Sequence, residues 1–146
     1  MKNYVLCATL DEDCFNTLKN LKRDIDLKHA KVHLVTIVEI QVYNIDLTPF
    51  IYPLEAQYPS IESAAITLLK GLQHSLGIED ENVLTKCMFT SNREETIKQY
   101  LESVNADLVV TASRGKHGVA GLFSSSFTDH LIKFAPCDVL AMRPRK

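Results

Sequence analysis

The chain has 146 residues, 46% of them apolar and 23% charged, the size and composition of one globular domain with room for a substantial core. A formal net charge of −2 supplies no basic excess of the kind that holds nucleic acid or an anionic membrane surface. No apolar run approaches bilayer-spanning length, and the start runs through Lys2 straight into Tyr4-Val5-Leu6-Cys7-Ala8 with no cleavage site. A cytoplasmic protein with a single domain over residues 1–146 is therefore expected.

Tyr4 to Thr9 reads as a strand buried on both faces. Asp11 or Asp13 then caps a helix whose buried stripe is Phe15, Leu18, Leu21 and Ile25. Lys31 to Val38 is the second strand. Glu39 to Pro59 carries three prolines and four aromatic residues; it reads as an irregular segment folded back on the body, with Thr48 to Tyr58 as local packing or a lid. Ser60 caps the next helix, with Ile61, Ala64, Ala65, Leu68, Leu69, Leu72 and Leu76 at helical spacing and Gly77 as the stop. Val83 to Thr90 is a strand, and Ser91-Asn92-Arg93-Glu94 matches a capping box before a helix that buries Ile97, Leu101 and Val104. Leu108 to Thr111 is the fourth strand. A last helix burying Phe127, Leu131 and Phe134 ends at Pro136, and Val139 to Met142 is the fifth strand.

This alternation predicts an α/β fold: a five-stranded, mostly parallel sheet with helices on both faces, Rossmann-like in layout. Ligands of such sheets sit at the C-terminal ends of the strands, near the switch point in strand order. The segments after Thr9, Val38 and Thr111 are the candidates. The third is the richest. Three of the chain's five glycines, Gly115, Gly118 and Gly121, fall between Thr111 and the serine cluster Ser124-Ser125-Ser126, together with Arg114, Lys116 and His117. A basic, glycine-rich loop opening a helix directs free backbone N–H groups and the helix dipole at an anion.

Other chemistries find less in the sequence. The four cysteines, Cys7, Cys14, Cys87 and Cys137, form no Cys-x-x-Cys pair and no zinc pattern, and they read as reduced thiols. Cys14, close to a helix N-terminus, is the one expected to be exposed. The histidines have no metal-ligand spacing, and no Gly-x-Ser-x-Gly nucleophile elbow is present. Asp11 and Asp13 resemble a receiver-domain acidic pair, but the later phosphoacceptor Asp and Lys are not evident, which leaves helix capping as their reading.

The whole chain in element order, and most closely Ala106 to Met142, resembles the universal stress protein family. In that family a strand leads into Gly-x2-Gly-x9-Gly-(Ser/Thr), then a helix and an Ala-Pro-Cys-x-Val-Leu-like last strand. Here Ala106-Asp107-Leu108-Val109-Val110 leads in and Ala135-Pro136-Cys137-Asp138-Val139-Leu140 leads out. The register puts the signature on Ala112, Gly115, Ser125 and Ser126, so alanine and serine replace two glycines. Either costs about 1 kcal/mol or more where φ must be positive. An alternative spacing through Gly115, Gly118 and Thr128 puts the threonine inside the helix.

The resemblance implies a fold shared with adenine-nucleotide alpha hydrolases and a binding module, not an enzyme. The implied ligand is an adenine nucleotide, ATP with Mg, with base contact from Leu10 and Val38 and ribose or phosphate contact from Ala112, Arg114, Gly115, Gly118, Ser125 and Ser126. Leu10 stands where nucleotide-binding members carry an Asp. The resemblance also implies a homodimer through Val139, Leu140, Ala141 and Met142, and an apolar last strand at a sheet edge invites such pairing on physical grounds. The alternative is a nucleotide-free member that acts through unknown protein partners and keeps a vestigial pocket.

Overall fold

The computed structural model describes residues 1–40, 55–112 and 125–144, with the backbone alone for Ser125 and Ser126. Strands β1 (Lys2–Cys7), β2 (Ala30–Glu39), β3 (Val83–Thr90), β4 (Leu108–Ala112) and β5 (Asp138–Met142) form one sheet in the order β3-β2-β1-β4-β5. All four pairings are parallel. Helices α1 (Glu12–Leu18), α2 (Leu21–Asp24), α3 (Tyr58–Leu76), α4 (Arg93–Ser103) and α5 (Ser125–Phe134) lie between them. The first three helices cover one face and the last two the other, the arrangement that right-handed crossovers impose on a sheet that reverses direction at its centre.

Strand alternation divides the core accordingly. Leu6, Val32, Leu34 and Val110 pack with Leu18, Leu21, Leu69 and Leu72 on one face. On the other, Val5, Val35, Ile37 and Val109 pack with Ile97, Leu101, Phe127 and Leu131. The second face also carries a polar chain that runs from the buried His33 to the surface. His33 Nδ1 lies 2.9 Å from the Tyr100 hydroxyl and His33 Nε2 lies 3.3 Å from Asn3 Oδ1. Asn3 exchanges two bonds with Asp107, its N–H donating to Oδ2 and its carbonyl accepting the Asp107 N–H, each at 2.8 Å.

Several local expectations are corrected. The helix expected across Phe15 to Ile25 is two. The Asn20 side chain donates to the Asn16 carbonyl at 3.3 Å, and the Asn20 N–H bonds to Thr17 O, three residues back. A side chain that takes the carbonyl meant for its own backbone breaks the α-helical ladder. Helix α3 begins at Tyr58, with Pro59 in its first turn and Gln57 at the cap, so Ser60 is not the cap. Its buried stripe is Ala65, Leu69, Leu72 and Leu76 plus Gln73, leaving Ala64 and Leu68 exposed. Gln73 is tolerated inside because its amide donates to Ile78 O (3.1 Å) and Asp80 Oδ1 (2.7 Å). Gly77 stops the helix at φ 70°, as its residue type requires.

The cap of α4 falls one residue later than the capping box suggests: Asn92 Oδ1 accepts the Glu95 N–H at 3.1 Å. Phe134 is 56% exposed; as the last residue of α5 its ring lies against His130, and Ala135 and Cys137 pack against the core instead. Cys14 is buried, 4% exposed, its Sγ accepting the Thr9 N–H at 3.4 Å. All four cysteines are free thiols. Burial raises the pKa of Cys7 far above the usual thiol range and that of Cys87 to about 11, so neither is a ready nucleophile.

Candidate functional site

Strand β1 is central, flanked by β2 on one side and β4 on the other. The chain leaves β1 towards β2 and later returns to β4, so the switch point lies between β1 and β4. Three of the segments expected to bind converge on the C-terminal rim of the sheet there: the turn after β1, the end of β2 and the junction of β4 with α5.

The turn after β1 is tightly tied. The Asp11 carboxylate caps α1, accepting the Cys14 N–H at 2.8 Å and the Thr9 hydroxyl. The Asp11 N–H returns to Thr9 O at 2.9 Å. Leu10 sits half-buried at the top of this turn. Asp11 therefore does not stand in for the base-facing Asp of the family pattern; its carboxylate belongs to the cap. Val38 is also half-buried, near the end of β2. It pairs in register with Phe89 of β3, whose ring stacks on Tyr58 at 4.4 Å between centroids and 15° between planes. Leu10 and Val38 thus offer apolar surface at the rim, with an aromatic pair beside Val38.

The backbone settles the cost of the two missing glycines. Ala112 is the last residue of β4, paired in register with Met142. Ser125 is the first residue of α5. Asn105 alone has positive φ among the described non-glycine residues. Ala112 and Ser125 hence occupy strand and helix conformations that suit L residues, and neither substitution strains the chain. Ser126 follows as the second residue of α5. Arg114, Gly115, Gly118, Lys116 and His117 lie outside the described residues, as do residues 41–54.

Two threonines that sequence reasoning did not assign to the site mark this junction. Thr111 is 0% exposed and Thr128 is 5% exposed, and among the described residues neither Oγ1 has a hydrogen-bond partner. Thr111 follows Val109 in strand alternation, so it lies on the face covered by α4 and α5. Thr128 stands beside Phe127 near the start of α5. A buried hydroxyl without a partner costs roughly 1–3 kcal/mol, so such groups in native folds commonly answer to a ligand, ion or water. The clue available in the sequence was a hydroxyl at the buried phase of an apolar strand and again beside the helix's first core residue. The rim thus carries apolar surface at Leu10 and Val38 and the N-terminus of α5 at Ser125 and Ser126, with the buried hydroxyls of Thr111 and Thr128 on the α4/α5 face.

One strand beyond β4, β5 is an edge strand that, among the described residues, pairs only with β4. Its Ala141 is exposed and Val139 and Leu140 are half-buried. Beside it on α5, Ile132 is 61% exposed. Among the described residues no group of three metal-ligating side chains occurs, and no helix is long and apolar enough to cross a membrane.

Comparison with known proteins agrees with this architecture. Residues 1–143 match the family model for the universal stress protein family. A Staphylococcus aureus relative (strain USA300) that carries the universal stress protein name is 27% identical over 118 residues, covering 78% of this chain and 67% of its own. A universal stress protein solved in complex with cAMP superposes with a TM-score of 0.68 at 14% identity, covering 99% of this chain and 98% of the other. The Archaeoglobus fulgidus universal stress protein in complex with dAMP superposes with a TM-score of 0.59 at 13% identity, covering 97% and 98%. The two structures share the parallel α/β sheet and its layout with this molecule. With its matched length, element order and strand topology, the chain belongs to the universal stress protein family.

Proposed function

We propose that this protein is a cytoplasmic, homodimeric stress-response module that binds an adenine nucleotide at the β1–β4 switch point and is not an enzyme. The observation that carries the reading is the pair of buried hydroxyls, Thr111 in β4 and Thr128 in α5, that have no hydrogen-bond partner among the described residues. They supply donors beside a helix N-terminus, the local environment in which phosphate is stabilised. The base end of the site is Leu10 and Val38. The ribose and phosphate end is Ala112, Arg114, Gly115, Gly118, Ser125 and Ser126, with Mg accompanying a triphosphate. Relatives solved with cAMP and dAMP support an adenine nucleotide as the ligand class. Four free cysteines support a reducing compartment.

The test is to release and identify any small molecule carried by the purified protein, then to titrate the emptied protein with Mg-ATP, AMP and cAMP by calorimetry. Co-purified nucleotide or micromolar binding is expected, and Gly115→Ile abolishes it while leaving the circular dichroism spectrum unchanged. No nucleotide and no heat with any of the three removes the reading.

A second reading is a nucleotide-free module acting through protein contacts. It is favoured by the exposed Ile132 and Phe134 of α5, close in the chain to the β5 edge, and becomes the working model if titration is silent.

A further inference from the structure

Arg93 is the first residue of α4, and its side chain is 19% exposed. Its guanidinium carbon lies 5.7 Å from the centroid of the Phe127 ring, and its Nε lies 4.0 Å from Glu39 Oε2. Phe127 follows Ser126 near the start of α5, so the guanidinium stands beside the turn that opens this helix. The start of α4 and the start of α5 therefore meet at the C-terminal rim with a cation between them. The hydroxyls of Thr111 and Thr128, without a partner among the described residues, lie on the same α4/α5 face of the sheet. The guanidinium and the helix start beside it favour an anion, against the carboxylates of Glu39 and, in the first turn of α4, Glu94 and Glu95.

Arg93 is also loosely engaged. A separation of 4.0 Å is long for a charge-assisted bond, and the Glu39 side chain is 47% exposed, so water screens the pair and its strength is small. The guanidinium is more firmly fixed by the aromatic face below it, which holds its place without using its N–H donors. A planar fork matches a phosphate group better than a single distant carboxylate oxygen does. Glu39 is in the same strand phase as Val35 and Ile37, so its carboxylate lies on the α4/α5 face with Arg93, where it competes with a phosphate group for the guanidinium.

We infer that Arg93 is a specificity-determining residue of the site: it exchanges Glu39 for a phosphate group of the bound ligand and makes the site prefer a phosphorylated adenine compound to the bare nucleoside. This rests on the nucleotide reading above and adds to it a cation outside the signature loop, 19 residues before Ala112 in the chain (112 − 93).

The test is calorimetric titration of the full chain with ATP and with adenosine, for the wild type, Arg93→Gln, Arg93→Lys and Glu39→Gln. Arg93→Gln lowers affinity for ATP roughly tenfold or more, as loss of a charge-assisted bond requires, and leaves adenosine within about twofold. Arg93→Lys restores part of the ATP preference, and Glu39→Gln raises ATP affinity because the competitor is gone. An unchanged ATP-to-adenosine ratio in folded Arg93→Gln overturns the inference and leaves the nucleotide reading intact. Should Arg93→Gln not fold, an unchanged ratio in Glu39→Gln overturns it instead. A wild type that takes up neither ligand removes both together.

Discussion

Replacing Thr111 or Thr128 by valine tests the central premise of the site without any ligand present. Valine keeps the β-branched shape and removes only the hydroxyl. The two side chains are 0% and 5% exposed, and neither Oγ1 has a partner among the described residues. A buried hydroxyl in that condition costs about 1–3 kcal/mol, and an apolar isostere recovers much of it. Each variant, stripped of small molecules, is therefore expected to be more stable than the wild type by about 1–2 kcal/mol, a rise in Tm of roughly 3–6 °C for a domain of this size. Thr111→Val also gains from the strand preference of valine, whereas at Thr128 the helix preferences are nearly equal. Urea titration and scanning calorimetry on the emptied proteins measure the change, and nucleotide affinity falls in the same variants. A loss of about 1 kcal/mol or more in the emptied valine variants would refute the reasoning, because it would mean that the hydroxyls are already satisfied within the fold.

Three further expectations follow from described contacts. Burial, with Lys31 adding to it, holds the His33 imidazole below its ordinary value of 6.5. Above pH 6.5 the ring is neutral in both folded and unfolded chains. As pH falls below 6.5 the unfolded chain binds a proton that the folded one resists, so stability declines down to the folded-state value; His33→Gln flattens this slope in Tm measured from pH 7.5 to 5, and an equally steep slope in the variant rejects the assignment. Asp11→Ala removes the cap of α1 and lowers stability by about 1 kcal/mol, seen as a lower urea midpoint at constant slope. Ala141→Arg sets two like charges near each other across the proposed two-fold axis, so sedimentation should report monomers; a dimer that survives places the interface elsewhere.

Much of the architecture was legible because it is written in local patterns. The strand read as Val83 to Thr90 matches β3 residue for residue, since a β-branched and aromatic run lies there between a turn and a helix cap. Gly77 was legible because only its residue type adopts that backbone angle cheaply. The misreadings share one cause: a decision made by tertiary contact. Whether Leu68 or Leu69 faces inward depends on which side of α3 meets the sheet. Whether Gln73 can be buried depends on Ile78 and Asp80 being there to receive it. Cys14 looked exposed from its place near a helix start, yet α1 turns that start inward against Thr9. At the candidate site, the register through Ala112 and Ser125 was readable, but the lack of backbone strain at either position was not, because a residue's backbone angle is set by the element it ends or begins. Arg93 was invisible as a site residue, being 34 positions from Phe127 in the chain (127 − 93).

The central position of β1 also governs how the chain can assemble as it is made. β1 is synthesised first, and one of its edges is claimed early by β2, with Tyr4 beside Val32. Its other edge waits for β4: Asn3 and Asp107 bond to each other across a separation of 104 residues. Until that later strand leaves the ribosome, the central strand of the sheet presents an open row of N–H and C=O groups, the template that stray strands exploit. Closing so long a loop is slow compared with forming the β1–β2 unit. The nascent chain thus passes through a half-sheet in which the same central strand that organises the finished molecule is its most vulnerable part, and the arrival of β4 both ends that exposure and creates the switch point at which a ligand can bind.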